Sequence, residues 1–489
     1  MSARSGQQFI DHLKATPRDV WINGEQVQDV TTHPAFSASV EQLAKLYDMQ
    51  VAKETEDQTT YVVPETGERA GLAFMPAMNA ADLTKKREGY LLWAQQNFGL
   101  MGRSPDFLNC SLLAFWEARE VTGKNGPEFP KRIAKYYEYV RDNDLFLSHA
   151  LLSPQNDRSK PSSEQADLHM RVVKETDEGI YISGGRMIAT LGPVSDEMLM
   201  YSLPGLRPGD EDHALMFAVP TNSKGLRQIC REPYTLAGQK SDFDHPLSNR
   251  FEENDSLLIF DNCFVPWDRV FIYRDVQLSN EYYITSSLRN HTAHQTNTRA
   301  LVKMQFAVGV AMEVARSMGA DAFLHVQSML GESLNHIEFL KSGLLHSEVA
   351  CEATEVGTVR PLLGPLQALR THLPTAYPRV VEIIQTIAAG GFMMMPSGAD
   401  FLAEELKEDT QRFYSGAKIS SLDRARLFKL AWDLSGEAFG TRALQYERYY
   451  AGDPMRTRAM NYMGADDAEP KRLVNAALAL AGDPQPAKR

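Results

Sequence analysis

Apolar positions change their spacing twice along the chain. Up to residue 148 they recur mainly at helical intervals. Leu83, Tyr90, Leu91 and Ala94 make a stripe on a helix predicted over 80–98, and further helices are predicted over 38–52, 105–122 and 128–143. A strand pair precedes them, Val20-Trp21-Ile22 and Gln26-Val27, joined by Asn23-Gly24, a two-residue hairpin signal. From 149 to 278 the pattern is that of short strands. Val172-Val173-Lys174-Glu175 and Ile180-Tyr181-Ile182-Ser183 flank the turn Thr176-Asp177-Glu178-Gly179. Strands are also predicted over 214–219, 226–230, 257–260 and 263–265, the last ending at Pro266-Trp267. Short strands with frequent turns predict a barrel or sandwich rather than a doubly wound sheet. From 279 to 489 helical spacing returns. Val302, Phe306, Val310, Val314 and Met318 form one stripe; Leu427, Leu430, Ala431, Leu434 and Ala438 form another, after Ser420 as a cap. These stripes predict a bundle, with helices shared between subunits. The polar, alanine-rich tail after Ala465 is expected to fray.

The pattern gives an α+β chain of three domains: 1–148 mainly helical, 149–278 β, and 279–489 a helical bundle with a tail. With 489 residues, 43% hydrophobic and 23% charged, the chain can build large cores. Its net charge of -12 argues against nucleic acid and against an anionic membrane surface. Met1 to Gln8 lacks an apolar core, and no run approaches the ~20 apolar residues of a membrane span, so a cytoplasmic protein is expected. Cys110, Cys230, Cys263 and Cys351 are too scattered for a metal site or a disulfide framework. Neither a G-x-G-x-x-G turn nor a P-loop, H-E-x-x-H or G-x-S-x-G motif occurs.

Four polar stretches carry candidate chemistry. In Gly102 to Asn109, Ser104 reads as a helix N-cap, Pro105 as the first helical residue and Asp106 as a first-turn acid. Arg103 beside that helix start would make a small anion site suited to a phenolate or carboxylate. The second stretch is His149-Ala150 with Ser153-Pro154-Gln155-Asn156-Asp157-Arg158, at the helical-to-β junction where ligands often bind. His149 suits proton transfer near neutral pH. The third is Arg186 to Thr190, a strand end whose threonine could meet a planar ring. The fourth, Asp453-Pro454-Met455-Arg456, reads locally as a helix-stop turn. His291 and His294 could share a helix face, but no cysteine or carboxylate stands beside them in sequence, and no metal is expected.

These stretches, with Thr31-Thr32-His33-Pro34, His245-Pro246-Leu247-Ser248-Asn249-Arg250, Asp261-Asn262, Val265-Pro266-Trp267 and Gly452-Asp453-Pro454, resemble the 4-hydroxyphenylacetate 3-monooxygenases, the oxygenase component of a two-component flavin system. The resemblance runs over nearly the whole chain. It implies an acyl-CoA-dehydrogenase-like fold: a helical N-terminal domain, a central β-barrel and a C-terminal four-helix bundle. It implies a homotetramer, a dimer of dimers, supplied with reduced FAD by a separate NAD(P)H flavin reductase. Molecular oxygen would react with that FAD to give a flavin C4a-hydroperoxide, and a para-substituted phenol would be hydroxylated at its ortho carbon to a catechol. Residue by residue, it implies that Arg103 and His149 bind the phenol hydroxyl as catalytic groups, with Ser104, Phe107, Leu203 and Pro204 also around the substrate. It implies that His149, Ala150, Leu151, Gln155, Asn156, Asp157, Arg158, Thr190, Asp453, Pro454, Met455 and Arg456 contact FAD.

Two departures bear on the substrate. Phe107 stands where relatives often carry a tyrosine that reaches the phenol. Leu203 and Pro204 stand where relatives holding a small carboxylate tail place hydroxyl residues. A p-coumarate-like, tyrosine-derived, halogenated or carrier-linked phenol competes with 4-hydroxyphenylacetate. Two other chemistries use the same fold. A 4-hydroxybutyryl-CoA dehydratase-like lyase needs iron–sulfur cysteines, which are missing around His291 and Cys110. An acyl-CoA dehydrogenase-like flavoenzyme lacks the motifs above.

Overall fold

The computed structural model describes residues 3–157 and 159–481. Two β-sheets lie between helices that precede and follow them in the chain. The larger has six strands, in the order Glu25–Gln26, Asp19–Ile22, Leu226–Cys230, Asp255–Pro266, Gly179–Thr190 and Arg171–Glu175. The smaller has four: Val270–Tyr273, Leu215–Pro220, Glu197–Met200 and Leu147–Ser148. Ile180, Ile182, Phe217, Val219, Leu258 and Phe260, each at most 2% exposed, belong to one core that draws on both sheets. Leu226–Cys230 shows the expected alternation, burying Leu226, Gln228 and Cys230 and exposing Arg227 and Ile229.

Three local results differ from the sequence reading. The strands predicted over 257–260 and 263–265 are one strand, Asp255–Pro266. Its register slips between Phe260 and Cys263, where Asn262 adopts φ 49°. The polar pair Asp261-Asn262 marks a bulge in a continuing strand, not its end. The Asn23-Gly24 hairpin forms with both residues at positive φ, but its Asp19–Ile22 strand also pairs in parallel with Leu226–Cys230. The N-terminal segment thereby extends the large sheet. The tail expected to fray contains a helix, Ala468–Ala481, with no buried residue. Its Ala, Leu, Lys and Glu content favours helix without any packing partner.

The predicted helices form as Ser37–Val51, Ala80–Gln95, Pro105–Glu117 and Phe129–Asp142. The third stops short of 122 and continues as a 3-10 turn, Arg119–Asn125. The bundle is built on Leu288–Ser317, a 30-residue helix packed against Leu324–Val349, Leu363–Met393 and Ser421–Ser435, and against two N-terminal helices. Its first half buries polar residues on every side, from Asn290 to Arg299. Carboxylates from distant segments pair the ionisable ones. His291 meets Glu117 at 2.9 Å, His294 meets Glu348 at 2.8 Å, and Arg299 and Lys303 share Glu447. Carboxylates therefore do stand beside both histidines, delivered by the fold. Pairing offsets the cost of desolvating these groups.

Candidate active site

A cavity of about 1080 Å3 opens where the sheets meet the bundle. The Pro105–Glu117 helix delivers Arg103 and Phe107 to it; the end of Leu147–Ser148 delivers His149; the end of Gly179–Thr190 delivers Thr190. Proline at the first helical position ends the Gly102-Arg103-Ser104 turn sharply and aims Arg103 inward. The helix start does not contribute to the anion site expected there, which is left to the Arg103 side chain. Glu253 accepts the Arg103 backbone N–H at 2.7 Å, and Ser104 donates its hydroxyl to Asp106 at 2.6 Å instead of capping the helix.

The Arg103 guanidinium has no ion pair among the described residues. It lies 4.1 Å over the Phe107 ring and donates to the Tyr446 hydroxyl and to the Gly102 carbonyl. His149 is buried, edge-on to Phe107, with Nδ1 3.0 Å from the Tyr201 hydroxyl. Burial, and then the Arg103 charge, push its imidazole down to about 3. The ring is neutral at physiological pH. Tyr201 has no other hydrogen-bond partner among the described residues. When the Tyr201 hydroxyl donates to Nδ1, the imidazole proton sits on Nε2.

On the sheet side, Thr190 donates its hydroxyl to Asp255 at 2.7 Å. Asp255 is clamped by Arg442 from the bundle and by Arg231, which hold its carboxyl down to about 2. Arg186 is buried on the same wall, donates to the Leu151 carbonyl at 2.9 Å and leaves Nε unpartnered. The turn at Gly452, with φ 93°, separates two helices. Asp453 caps the second, Pro454–Met463, by accepting from the backbone of Met455 and Arg456.

The cavity wall thus brings together Arg103, Phe107, His149, Leu151, Gln155, Thr190, Leu203, Pro204, Asp453 and Arg456 from the sequence reading. It does not include Ser104, Ala150, Asn156, Asp157, Pro454 or Met455. Ser104 is held by Asp106, Ala150 is fully buried, Asn156 is exposed, Asp157 binds Ser159, and Met455 is 73% exposed. Arg158 lies outside the described residues. Sequence reasoning missed Tyr201, Asp255, Arg370, Arg442 and Tyr446. Only Tyr201 carried a signal, as a tyrosine ending an apolar strand; the arginines look like solvated helix charges until the helices are packed.

Two family models match the chain: 4-hydroxyphenylacetate 3-hydroxylase N terminal over residues 5–272, and its C-terminal counterpart over 279–479. The chain is 40% identical over 456 residues to the 4-hydroxyphenylacetate 3-monooxygenase oxygenase component of Thermus thermophilus, covering 93% of each. It is 37% identical over 474 residues to that of a Geobacillus species, covering 96% of this chain and 95% of the relative. A crystal structure of such an oxygenase component, complexed with FAD and 4-hydroxyphenylacetate, matches with a TM-score of 0.92 and 39% identity, over 98% of this chain and 99% of that one.

Proposed function

The chain belongs to the 4-hydroxyphenylacetate 3-hydroxylase family, and from that premise we propose that Arg103 and His149 hold the oxygen of a para-substituted phenol beside reduced FAD. The protein is the oxygenase component of a two-component flavin monooxygenase. It hydroxylates a phenol ortho to its hydroxyl, and a separate component supplies the reduced flavin. The observation that carries the site assignment is a guanidinium without an ion pair, beside a neutral histidine, in the large cavity between sheets and bundle.

The residues present fit FAD. The cavity exceeds the roughly 300–1,000 Å3 of ordinary ligand pockets. Arg186 is buried there with an unused donor, as an anionic or carbonyl-rich ligand requires. A Cβ on Gly452 would lie 2.8 Å from the Arg456 guanidinium, so glycine keeps that cradle clear. Leu151, Gln155, Thr190, Asp453 and Arg456 would hold the cofactor. When bound, reduced FAD activates molecular oxygen and supplies an electrophilic oxygen atom.

The chain's own groups prepare the phenol. The Arg103 charge favours the ionised phenol oxygen, which raises electron density at the ortho carbon. His149 donates from Nε2 to the same oxygen, with its tautomer set by Tyr201. Phe107 stacks under Arg103 and adds no third donor. Thr190, its proton committed to Asp255, would offer acceptor lone pairs to an N–H of the bound cofactor. Phe107, Leu151, Met187 and Ile188 keep part of the wall apolar, which excludes water from the reacting oxygen.

The chain assembles as a homotetramer in the cytosol with an NAD(P)H-dependent reductase as its flavin source. Outward apolar side chains support the assembly: Phe339, Leu345 and Val349 on Leu324–Val349, and Leu473, Leu478 and Leu480 on the last helix, are 55–87% exposed. No helix of the described residues is long and apolar enough to cross a membrane. The deciding experiment supplies anaerobically reduced FAD and a panel of phenols to the protein under labelled oxygen gas. The expected result is a catechol carrying one labelled oxygen. Flavin oxidation with no labelled product from any phenol would overturn the reading.

A further inference from the structure

One wall of the cavity carries more positive charge than the phenol oxygen and the flavin account for. The loop with Leu203 and Pro204 is pinned to the Val276–Thr285 helix: Asn280 accepts from the backbone of Gly205 and Leu206, and donates to the Leu206 carbonyl. Tyr283 of that helix lines the same cavity. Leu203 and Pro204 offer no side-chain donor there.

Two arginines do. Arg370, on Leu363–Met393, is 8% exposed and lines the cavity. Its Nε is buried without a partner, and its one side-chain hydrogen bond among the described residues is a 3.4 Å contact to Gln367. Arg289, in the first turn of Leu288–Ser317, also has an unpartnered buried Nε and a single 3.4 Å bond, to the Ile284 carbonyl. Neither makes an ion pair among the described residues. Burial lowers the Arg289 pKa, and the Arg370 and Arg360 charges lower it further against an opposing contribution from Tyr283. Arg360 is answered by Glu352; the other two are not answered by any described carboxylate. A buried cation beside a second, partly buried one, with no counter-charge for either among the described residues, is costly unless a ligand supplies one.

We propose that Arg370, backed by Arg289, receives an anionic group at the far end of the phenol's para substituent. The assignment rests on the phenol-hydroxylase reading. Arg103 takes the phenol oxygen, and a para substituent points away from it by the geometry of the ring. Arg370 lines the cavity together with Leu203, Pro204 and Tyr283. The lost donors at Leu203 and Pro204 are then replaced by a guanidinium on the bundle, and selectivity for a carboxylate-bearing phenol is kept by a different residue.

An anion at Arg370 has two sources, the phenol's own tail or the flavin phosphates, and the test separates them. The probes are 3-(4-hydroxyphenyl)propanoate and its uncharged primary amide. Binding of each to the flavin-free protein is measured by calorimetry, turnover by catechol formation with reduced FAD, and flavin affinity by reduced-FAD titration. The wild type is expected to prefer the carboxylate. Arg370→Met is expected to cut that preference at least about tenfold in Kd and in kcat/KM, with Arg370→Lys recovering part of it. An unchanged carboxylate-to-amide ratio in Arg370→Met overturns the proposal. A loss of reduced-FAD affinity at constant ratio gives the site to the flavin phosphates and also overturns it. Carboxylate-selective binding lost in Arg370→Met, with no catechol from either probe in the wild type, would uphold the anion site and fail the hydroxylase reading instead.

Discussion

His149 is neutral because it is buried beside a permanent cation, and this decides what the site can do with a proton. Its imidazole is pushed down to about 3, so it does not change charge between pH 5 and 9. The pH–rate profile of hydroxylation is expected to show no inflection near the ordinary histidine value of about 6.5; an inflection there that vanishes in His149→Asn would refute the neutral-donor role. In the proposed site, positive charge at the phenol oxygen comes from Arg103. Charge-assisted hydrogen bonds contribute about 1.5–3 kcal/mol, so Arg103→Ala should lower kcat/KM by roughly 10- to 150-fold with an unchanged melting temperature. Lysine should recover little, because the stack on Phe107 and the bond to Tyr446 require a planar fork. That Arg103 and His149 line the cavity was legible from sequence because each stands beside a recognisable boundary, a proline-started helix and a helical-to-β junction. Tyr201, Arg370 and Arg442 were not. Their neighbours in sequence are ordinary packing residues, and their partners lie tens to hundreds of positions away.

The elements were more legible than their joints. Helix periodicity located Ser37–Val51, Ala80–Gln95, Pro105–Glu117 and Phe129–Asp142, but not the first helix, Gly6–Ala15. Periodicity said nothing of the buried polar run from Asn290 to Arg299, whose burial depends on Glu117, Glu348 and Glu447 arriving from other helices. Turn chemistry located the Asn23-Gly24 hairpin but not the sheet it joins. One joint positions the site directly. Gly102, just ahead of the Pro105–Glu117 helix, touches the Ala438–Tyr449 helix so closely that a Cβ would sit 2.3 Å from the Tyr446 ring and hydroxyl. Gly102→Ala is expected to displace Tyr446 from Arg103. The predicted cost is about 1–3 kcal/mol of stability from overpacking, with hydroxylation falling further than stability does. Denaturant melts and turnover on one preparation check this; wild-type turnover in the variant would show that Tyr446 does not position Arg103.

For the whole molecule, acid is the condition that sets the buried charges against one another. His149, His169, His213 and His294 all have pKa values below the ordinary histidine value in the fold, chiefly through burial. Below about pH 6.5 the unfolded chain therefore binds protons that the native state refuses, and stability falls as pH drops. Asp144, raised to about 6 by burial, acts in the opposite sense between its ordinary value and 6. Asp255 and Glu447, each held at about 2 by arginine and lysine partners, stabilise the fold above the ordinary carboxylate range, and that contribution is lost as pH falls toward 2. The melting temperature is expected to decline from about pH 6.5 and more steeply below about pH 4; a melting temperature constant down to pH 4.5 would contradict this balance. Asp255 also has a second consequence. It accepts from Thr190 in the sheet, from Arg231 after the neighbouring strand, and from Arg442 in the bundle. One carboxylate thus fastens two layers and also fixes Thr190 as an acceptor toward the cavity. Over evolutionary time these four positions are not free to drift singly. A lineage that alters one is expected to alter the others with it, so covariation among 190, 231, 255 and 442 would trace where this clamp has been rebuilt.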